Sequence, residues 1–407
     1  MKKTLLLLFS LFALVIATSA QKKDIAQARD WVKQGKNLDK AEQTMSKVLK
    51  DSANREKEKL WEILFNALRG QYEQGNEKLY LKQKYDTASI FNIASRMFAA
   101  MESYDSIDAM PDKNGRVKLK MRKQNSSMLN TLRPNLYNGG VFFIRKKDYK
   151  TAYKFFDQYI DAANQPLFKA YKYMEKDERM PEAAYWAVYC GYKLNDPNKV
   201  LHHTYLAMKD TAHNEPMLQY LAATYQMEKD TVRFVSTLLE GFSRYPLSPF
   251  FFPHLIDHYS LHGDWEKALE LTDKALKADS VNKVFLLTRS SILLNTANYD
   301  GCFTICESLI KREVADSLVV PDVFLNAGLA KFNQGVMLDK EVQASKRDRD
   351  KTLLLYKDAL PYLEQYRKLR PEATDKWALP LYTIYLNLNM GKKFDEVDKI
   401  MKAKQKK

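Results

Sequence analysis

With 407 residues but only 13 Gly and 13 Pro, the chain has too few turn residues for many tight turns or flexible linkers, so long helices with short connections are expected. Hydrophobic residues at 45%, with 24 Tyr and 20 Phe among them, are enough for a core and exclude disorder over most of the length. The net charge of +15 favours anionic partners, and three cysteines, Cys190, Cys302 and Cys306, exclude a disulfide scaffold.

The first twenty residues have the layout of a secretory signal: Lys2 and Lys3, an apolar run from Leu5 to Ala17, then small residues, with cleavage expected after Ala20. The run is shorter than the ~20 residues of a membrane span, and no Cys follows it to take a lipid. The mature chain is therefore expected in the periplasm, not spanning a membrane. Residues 21–133 read as degenerate helical repeats. Leu38-x2-Ala41-x3-Met45 suits a second helix of a pair, and residues 53–107 are helical by periodicity, with Trp61, Ile63, Leu64, Phe65 and Leu68 on one side and Phe91, Ile93, Met97 and Met101 later.

From Lys113 to Lys147 there is no acidic residue. Lys113, Arg116, Lys118, Lys120, Arg122, Lys123, Arg133, Arg145, Lys146 and Lys147 form a candidate basic face for an anionic envelope component or an acidic protein, or are simply a solvated helix. No nucleic-acid motif accompanies them, so nucleic acid is not expected as a partner.

Residues 134–311 repeat. Trp265 and Ala268 recur 34 residues later as Tyr299 and Cys302. Phe252-x2-Leu255-Ile256-x2-Tyr259 lies 34 residues after Leu218-x2-Leu221-Ala222-x2-Tyr225. Leu136-x2-Gly139-Gly140-x2-Phe143 is followed by Tyr149-x2-Ala152-x3-Phe156. Such a period marks a helix-turn-helix array. Its small residues are close-approach positions: Gly140 and Ala222 between the two helices of a pair, Ala152 and Ala268 towards the next pair. Cys302 and Cys306, four apart on one predicted helix face, are poorly aimed for a disulfide and are expected as small packing residues. About fifteen extra residues between Ile160 and Pro181 predict one added short helix, and about nineteen between Gly335 and Ala359 predict a lengthened, charged helix pair near residues 336–354. After Pro371 a last, degenerate pair follows within residues 312–407.

These residues resemble the tetratricopeptide repeat (TPR), whose pattern is large-x2-Leu-Gly-x2-Tyr in the first helix and Ala-x3-Phe in the second, often closed by proline, as at Pro246 and Pro371. The chain as a whole resembles exported TPR proteins of Bacteroidota-type bacteria. The resemblance implies an all-α, right-handed solenoid of antiparallel helix pairs whose first helices line a groove. It also implies a protein-protein scaffold, here expected in cell-envelope assembly or maintenance. Carrying over the family's ligand-contact slots gives Tyr137, Asn138 and Val141, then Trp186, Tyr220 and Asp257, then Asn295. That set departs from the Lys and Asn clamp some family members use for acidic peptide tails, so peptides with apolar anchors suit it better. The same side chains could instead only cover neighbouring helices. A carbohydrate-binding component of a glycan-uptake system is the alternative, with Trp186 and Tyr220 as sugar-stacking platforms.

Signals for chemistry are sparse. His254, His258 and His262 recur every fourth residue on one helix stripe, a spacing that can chelate a metal, but Leu255 stands where the common zinc signature places Glu, and Asp257 points about a quarter turn away. An ordinary polar face is the simpler reading. His202 and His203 have no carboxylate in register on their own predicted helix, and His213 falls in a connection. No phosphate loop, nucleophile elbow or dinucleotide glycine pattern occurs, so no catalysis, cofactor or metal is expected.

Overall fold

A computed structural model describes residues 21–312, 320–340 and 346–405, so the expected signal segment and part of the charged insertion lie outside the described residues. Those residues contain helices and no strand. They fall into two compact units, Met1–Phe234 and Val235–Lys407.

In the first unit α1 covers residues 21–34. It is followed by α2 (Leu38–Val48), α3 (Ser52–Arg55), α4 (Glu58–Tyr80), α5 (Thr87–Asp108), α6 (Arg122–Leu132), α7 (Pro134–Arg145) and α8 (Tyr149–Asp161). A 3-10 turn (Pro166–Tyr171) and the short α9 (Tyr173–Lys176) precede α10 (Met180–Lys193), α11 (Pro197–His202), α12 (Thr204–Ala207) and α13 (Asn214–Met227). Then come α14 (Thr231–Arg244), within which the two units divide, and, in the second unit, α15 (Phe251–Leu261), α16 (Trp265–Ala278), α17 (Lys283–Asn295) and α18 (Tyr299–Lys311). The chain continues with α19 (Val320–Asp339), α20 (Lys346–Leu369), α21 (Thr374–Asn387) and α22 (Gly391–Gln405). The helices pack mainly on near neighbours along the chain: α7 on α8, α8 on α10, and α15 through α22 each on the next. The three-residue connections at α7–α8, α15–α16, α17–α18 and α21–α22 make those neighbours antiparallel. The fold is an all-α solenoid of TPR-like helix pairs.

The turn between the helices of a pair has a fixed chemistry. Lys147, Asn195, Lys229, Gly263 and Ala297 all have positive φ, between 51° and 72°. Each is followed by a short polar residue, Asp148, Asp196, Asp230, Asp264 or Asn298, at the start of the next helix. Four of these cap it, accepting from the backbone N–H of Thr151, Lys199, Arg233 and Gly301 at 2.9–3.2 Å. Asp264 pairs with Lys267 at 3.0 Å instead.

The small residues act where the pattern placed them. A Cβ on Gly140 would stand 2.5 Å from the Phe156 ring of the facing helix. Ala152, Ala222, Ala268 and Cys302 are fully buried. Cys190, Cys302 and Cys306 are free thiols in the packed interior. The extra residues after Ile160 form the 3-10 turn and short α9 and are part of the core, because Leu167, Phe168 and Tyr173 are buried and Phe168 packs 5.5 Å from Phe98. Of the charged stretch near 336–354, residues 336–339 fall on the end of α19 and 346–354 on the start of α20, while 341–345 lie outside the described residues; α19 and α20 run against each other, with Tyr356 lying over Gly335.

Candidate functional site

Three of the sequence-derived groove residues meet in an array of aromatic rings in the first unit. Tyr137 on α7 stands edge-on to Phe156 and Tyr159 of α8, at 5.7 and 5.8 Å. Burial, then a hydrogen bond with Glu182 of α10, push its phenol well above the ordinary tyrosine value. Glu182 also accepts from Trp186 Nε1 at 3.3 Å, so one carboxylate ties α7 to the indole. Trp186 is edge-on to Tyr185 at 5.0 Å and to Tyr189 at 5.6 Å. Tyr220 on α13 closes the array, stacked 4.5 Å from Tyr192 and tilted against Tyr189 at 5.9 Å.

His213 is part of it too. Its ring stacks 4.2 Å from Tyr185 and its Nδ1 donates to Asp210 at 2.7 Å. Tyr185 is buried, whereas Tyr137, Trp186, Tyr189, Tyr192 and Tyr220 are each half-buried. Sequence reasoning missed Glu182, Tyr189 and Tyr192. Tyr185, Tyr189 and Tyr192 follow an i, i+4, i+7 spacing, which is one helix face and could have marked them.

The other four groove candidates stand apart from this array. Asn138 is exposed and Val141 half-buried on α7. Asp257 and Asn295 are exposed on α15 and α17 of the second unit, and Asn295 Nδ2 donates to the Ser291 carbonyl of its own helix at 2.9 Å.

The basic face needs correction. Arg133 is buried, its guanidinium held between the rings of Tyr159 and Tyr173 at 3.7 and 3.8 Å. It donates to the Tyr159 carbonyl at 3.1 Å and pairs with Asp177. Tyr159 hydroxyl donates to the same carboxylate at 2.6 Å. Burial opposes ionisation of Asp177, but these donors outweigh it and hold its carboxyl below the usual range. Arg122 is also committed, its Nε and Nη2 donating to the two oxygens of Asp105 at 2.8 Å each. Lys120 lies 3.7 Å from Glu58.

What remains exposed falls on separate elements: Lys113, Arg116, Lys118 and Lys123 in and just after the α5–α6 connection, and Arg145, Lys146 and Lys147 at the end of α7. Lys123 and Lys169 border a cleft of about 760 Å³ with Leu119, Ser126 and Tyr171. The histidine stripe gathers no three ligand atoms among the described residues. His254 Nδ1 and His262 Nδ1 each donate to the carbonyl four residues earlier, Phe250 and His258, at 2.7 Å.

No protein-family model matches the sequence, nor does a curated protein. Among solved structures the chain is similar to the P58(IPK) TPR domain, at 11% identity over 95% of this chain and 100% of that one, with a TM-score of 0.26. It is also similar to yeast Tom70, at 13% identity over 93% and 90% of the two chains, TM-score 0.29. A third likeness is to the APC/C hetero-tetramer Cut9-Hcn1, at 11% identity over 94% and 87%, TM-score 0.17.

Proposed function

We propose that the chain is a non-catalytic scaffold that binds a protein or peptide partner, exported to the periplasm and acting in cell-envelope assembly or maintenance. The observation that carries this reading is the aromatic array from Tyr137 through Trp186 to Tyr220, on three helices, half-exposed and cross-braced by Glu182. Rings already fixed by their neighbours lose little freedom when a partner covers them, and they bring large apolar area to a contact. Apolar anchors of an extended or helical peptide fit such a surface. The exposed cations between Lys113 and Lys123 supply attraction to an anionic envelope component.

The carbohydrate reading fares less well on one point. A sugar platform needs a free ring face, and Tyr220 is already stacked on Tyr192, while Trp186 is wedged against Tyr185 and Tyr189. The experiment is to identify the periplasmic partner by crosslinking and to measure its affinity for Tyr137→Ala and Trp186→Ala proteins whose helicity is intact. Losing an anchor is expected to weaken binding by ~2 kcal/mol or more, about 30-fold. Unchanged affinity for both removes the array as the binding surface, and glycan binding that is lost with Trp186→Ala would favour the alternative.

A further inference from the structure

We infer that Asp157, His202 and His203 form a surface site for a divalent transition-metal ion, zinc by its chemistry. The two histidines are adjacent in sequence, His202 ending α11 and His203 capping it with φ −110° and ψ 12°. No carboxylate is in register on that helix. The carboxylate comes instead from α8, 46 residues earlier in sequence, because α10 packs against both α8 and α11.

The geometry is close to what coordination requires. One ligand atom from each of the three side chains lies within 4.8 Å of the other two. His203 Nε2 is 2.7 Å, and His202 Nε2 3.8 Å, from Asp157 Oδ1. The edge of a tetrahedron built on zinc bonds of ~2.0–2.1 Å is about 3.3 Å. The two observed distances bracket that edge, so small side-chain rotations suffice. Those rotations are available where they are needed: His202 is 62% and Asp157 40% exposed, while His203, at 10%, is the fixed member. The imidazoles sit 4.3 Å apart at 62°, so their nitrogens can converge without the rings colliding.

Two imidazoles and one carboxylate are a borderline nitrogen-oxygen set, which suits zinc and its neighbours and not the all-oxygen preference of calcium or magnesium. Binding at His203 Nε2 replaces its present hydrogen bond to Asp157, and in the neutral ring the proton moves through solvent from Nε2 to Nδ1, so that Nε2 presents its lone pair to the metal with no net change in protons. Three protein ligands leave a fourth position open on the exposed side for water. The surroundings carry no uncompensated cation from the adjoining turn: Lys199 is paired with Asp196 and lies 5.6 Å over the Tyr153 ring, which itself is 6.4 Å from His203. A bound ion would brace α8 against the α11 end, two elements that belong to successive helix pairs.

The test is zinc titration by calorimetry of the purified full chain, free of any added histidine tag, with cobalt as a second probe for its visible absorption. One ion per chain is expected. His202→Ala removes an exposed ligand without touching the core and is expected to weaken binding by about tenfold or more. The His254→Ala/His262→Ala double variant controls for the other histidine stripe and is expected to bind as the parent does. Absence of saturable binding, binding unchanged in His202→Ala, or binding lost in the double variant would each overturn the assignment.

Discussion

Glu102 sits half-buried on α5 with Oε1 making no hydrogen bond. Burial, then the nearby Asp161, raise its carboxyl from 4.5 to about 7. The folded state therefore keeps a proton that the unfolded chain releases, so stability falls as pH rises from about 4.5 to about 7 and levels off above. Glu102→Gln keeps the shape and cannot ionise. It is expected to stabilise by ~1–3 kcal/mol at pH 8 and to change little at pH 4; equal effects at the two pH values, read from urea midpoints, would contradict this. Arg133 makes the opposite case, a buried charge paired with Asp177, with only its Nε left without a hydrogen bond. Removing it leaves Asp177 without its cation and two rings without their filling, so Arg133→Met is expected to cost about 3 kcal/mol or more. Arg133→Lys should not rescue, since an ammonium cannot lie flat between Tyr159 and Tyr173 while reaching both oxygen partners. Lys123→Ala, on the exposed part of the same basic stretch, should leave the melting temperature unchanged. Neither the Arg133–Asp177 pair nor the His203–Asp157 contact was legible in the sequence. Charge runs are read along the chain, whereas Arg133 meets Asp177 across 44 residues and His203 meets Asp157 across 46.

At the level of helices and turns, the repeat was legible because its period is carried by local residue types. Ala268 and Cys302 mark close approach by size alone, and both are fully buried. Enlarging such a position overfills the contact, so Ala268→Leu is expected to destabilise by ~1–3 kcal/mol, with exposed Lys267→Ala nearly silent; the same melting behaviour in both would count against the repeat assignment. The punctuation of the repeat could also have been read, since Asp230, Asp264 and Asn298 follow one another at steps of 34 residues. Only one of the left-handed residues preceding them, Gly263, is a glycine, and that hid the pattern. At Ala297, φ is 59° and a Cβ is strained. Ala297→Gly is therefore expected to stabilise by up to about 1 kcal/mol and Gly263→Ala to destabilise by a similar amount, as measured by thermal unfolding. The opposite sign at Ala297 would mean the turn tolerates its side chain. Less of α4 and α5 could be assigned to the repeat, because helices of 23 and 22 residues together outrun its 34-residue period, yet Ile63, Leu64, Phe65 and Leu68 are buried.

On the scale of the whole chain, a solenoid's stability is close to a sum of neighbour contacts, so a terminal segment matters only through the helix it adjoins. In the first unit that helix is α1, over residues 21–34. Ala28 is fully buried, and Ile25, Trp31 and Val32 pack against the same core. A leader ending at Ala20 would thus leave every one of these contacts in the mature chain. Its removal would take away Lys2 and Lys3 and the apolar run from Leu5 to Ala17. We therefore expect the mature protein to begin at Gln21 and to fractionate with the periplasm, with a net charge two lower than the +15 of the whole sequence. Intact-mass measurement on protein released by osmotic shock reads the start site directly, and the mature chain should unfold at the same temperature as the chain carrying its first twenty residues. Finding Met1 to Ala20 still attached and held in the membrane fraction would refute export by cleavage, and would move the search for a partner from the periplasm to the membrane surface.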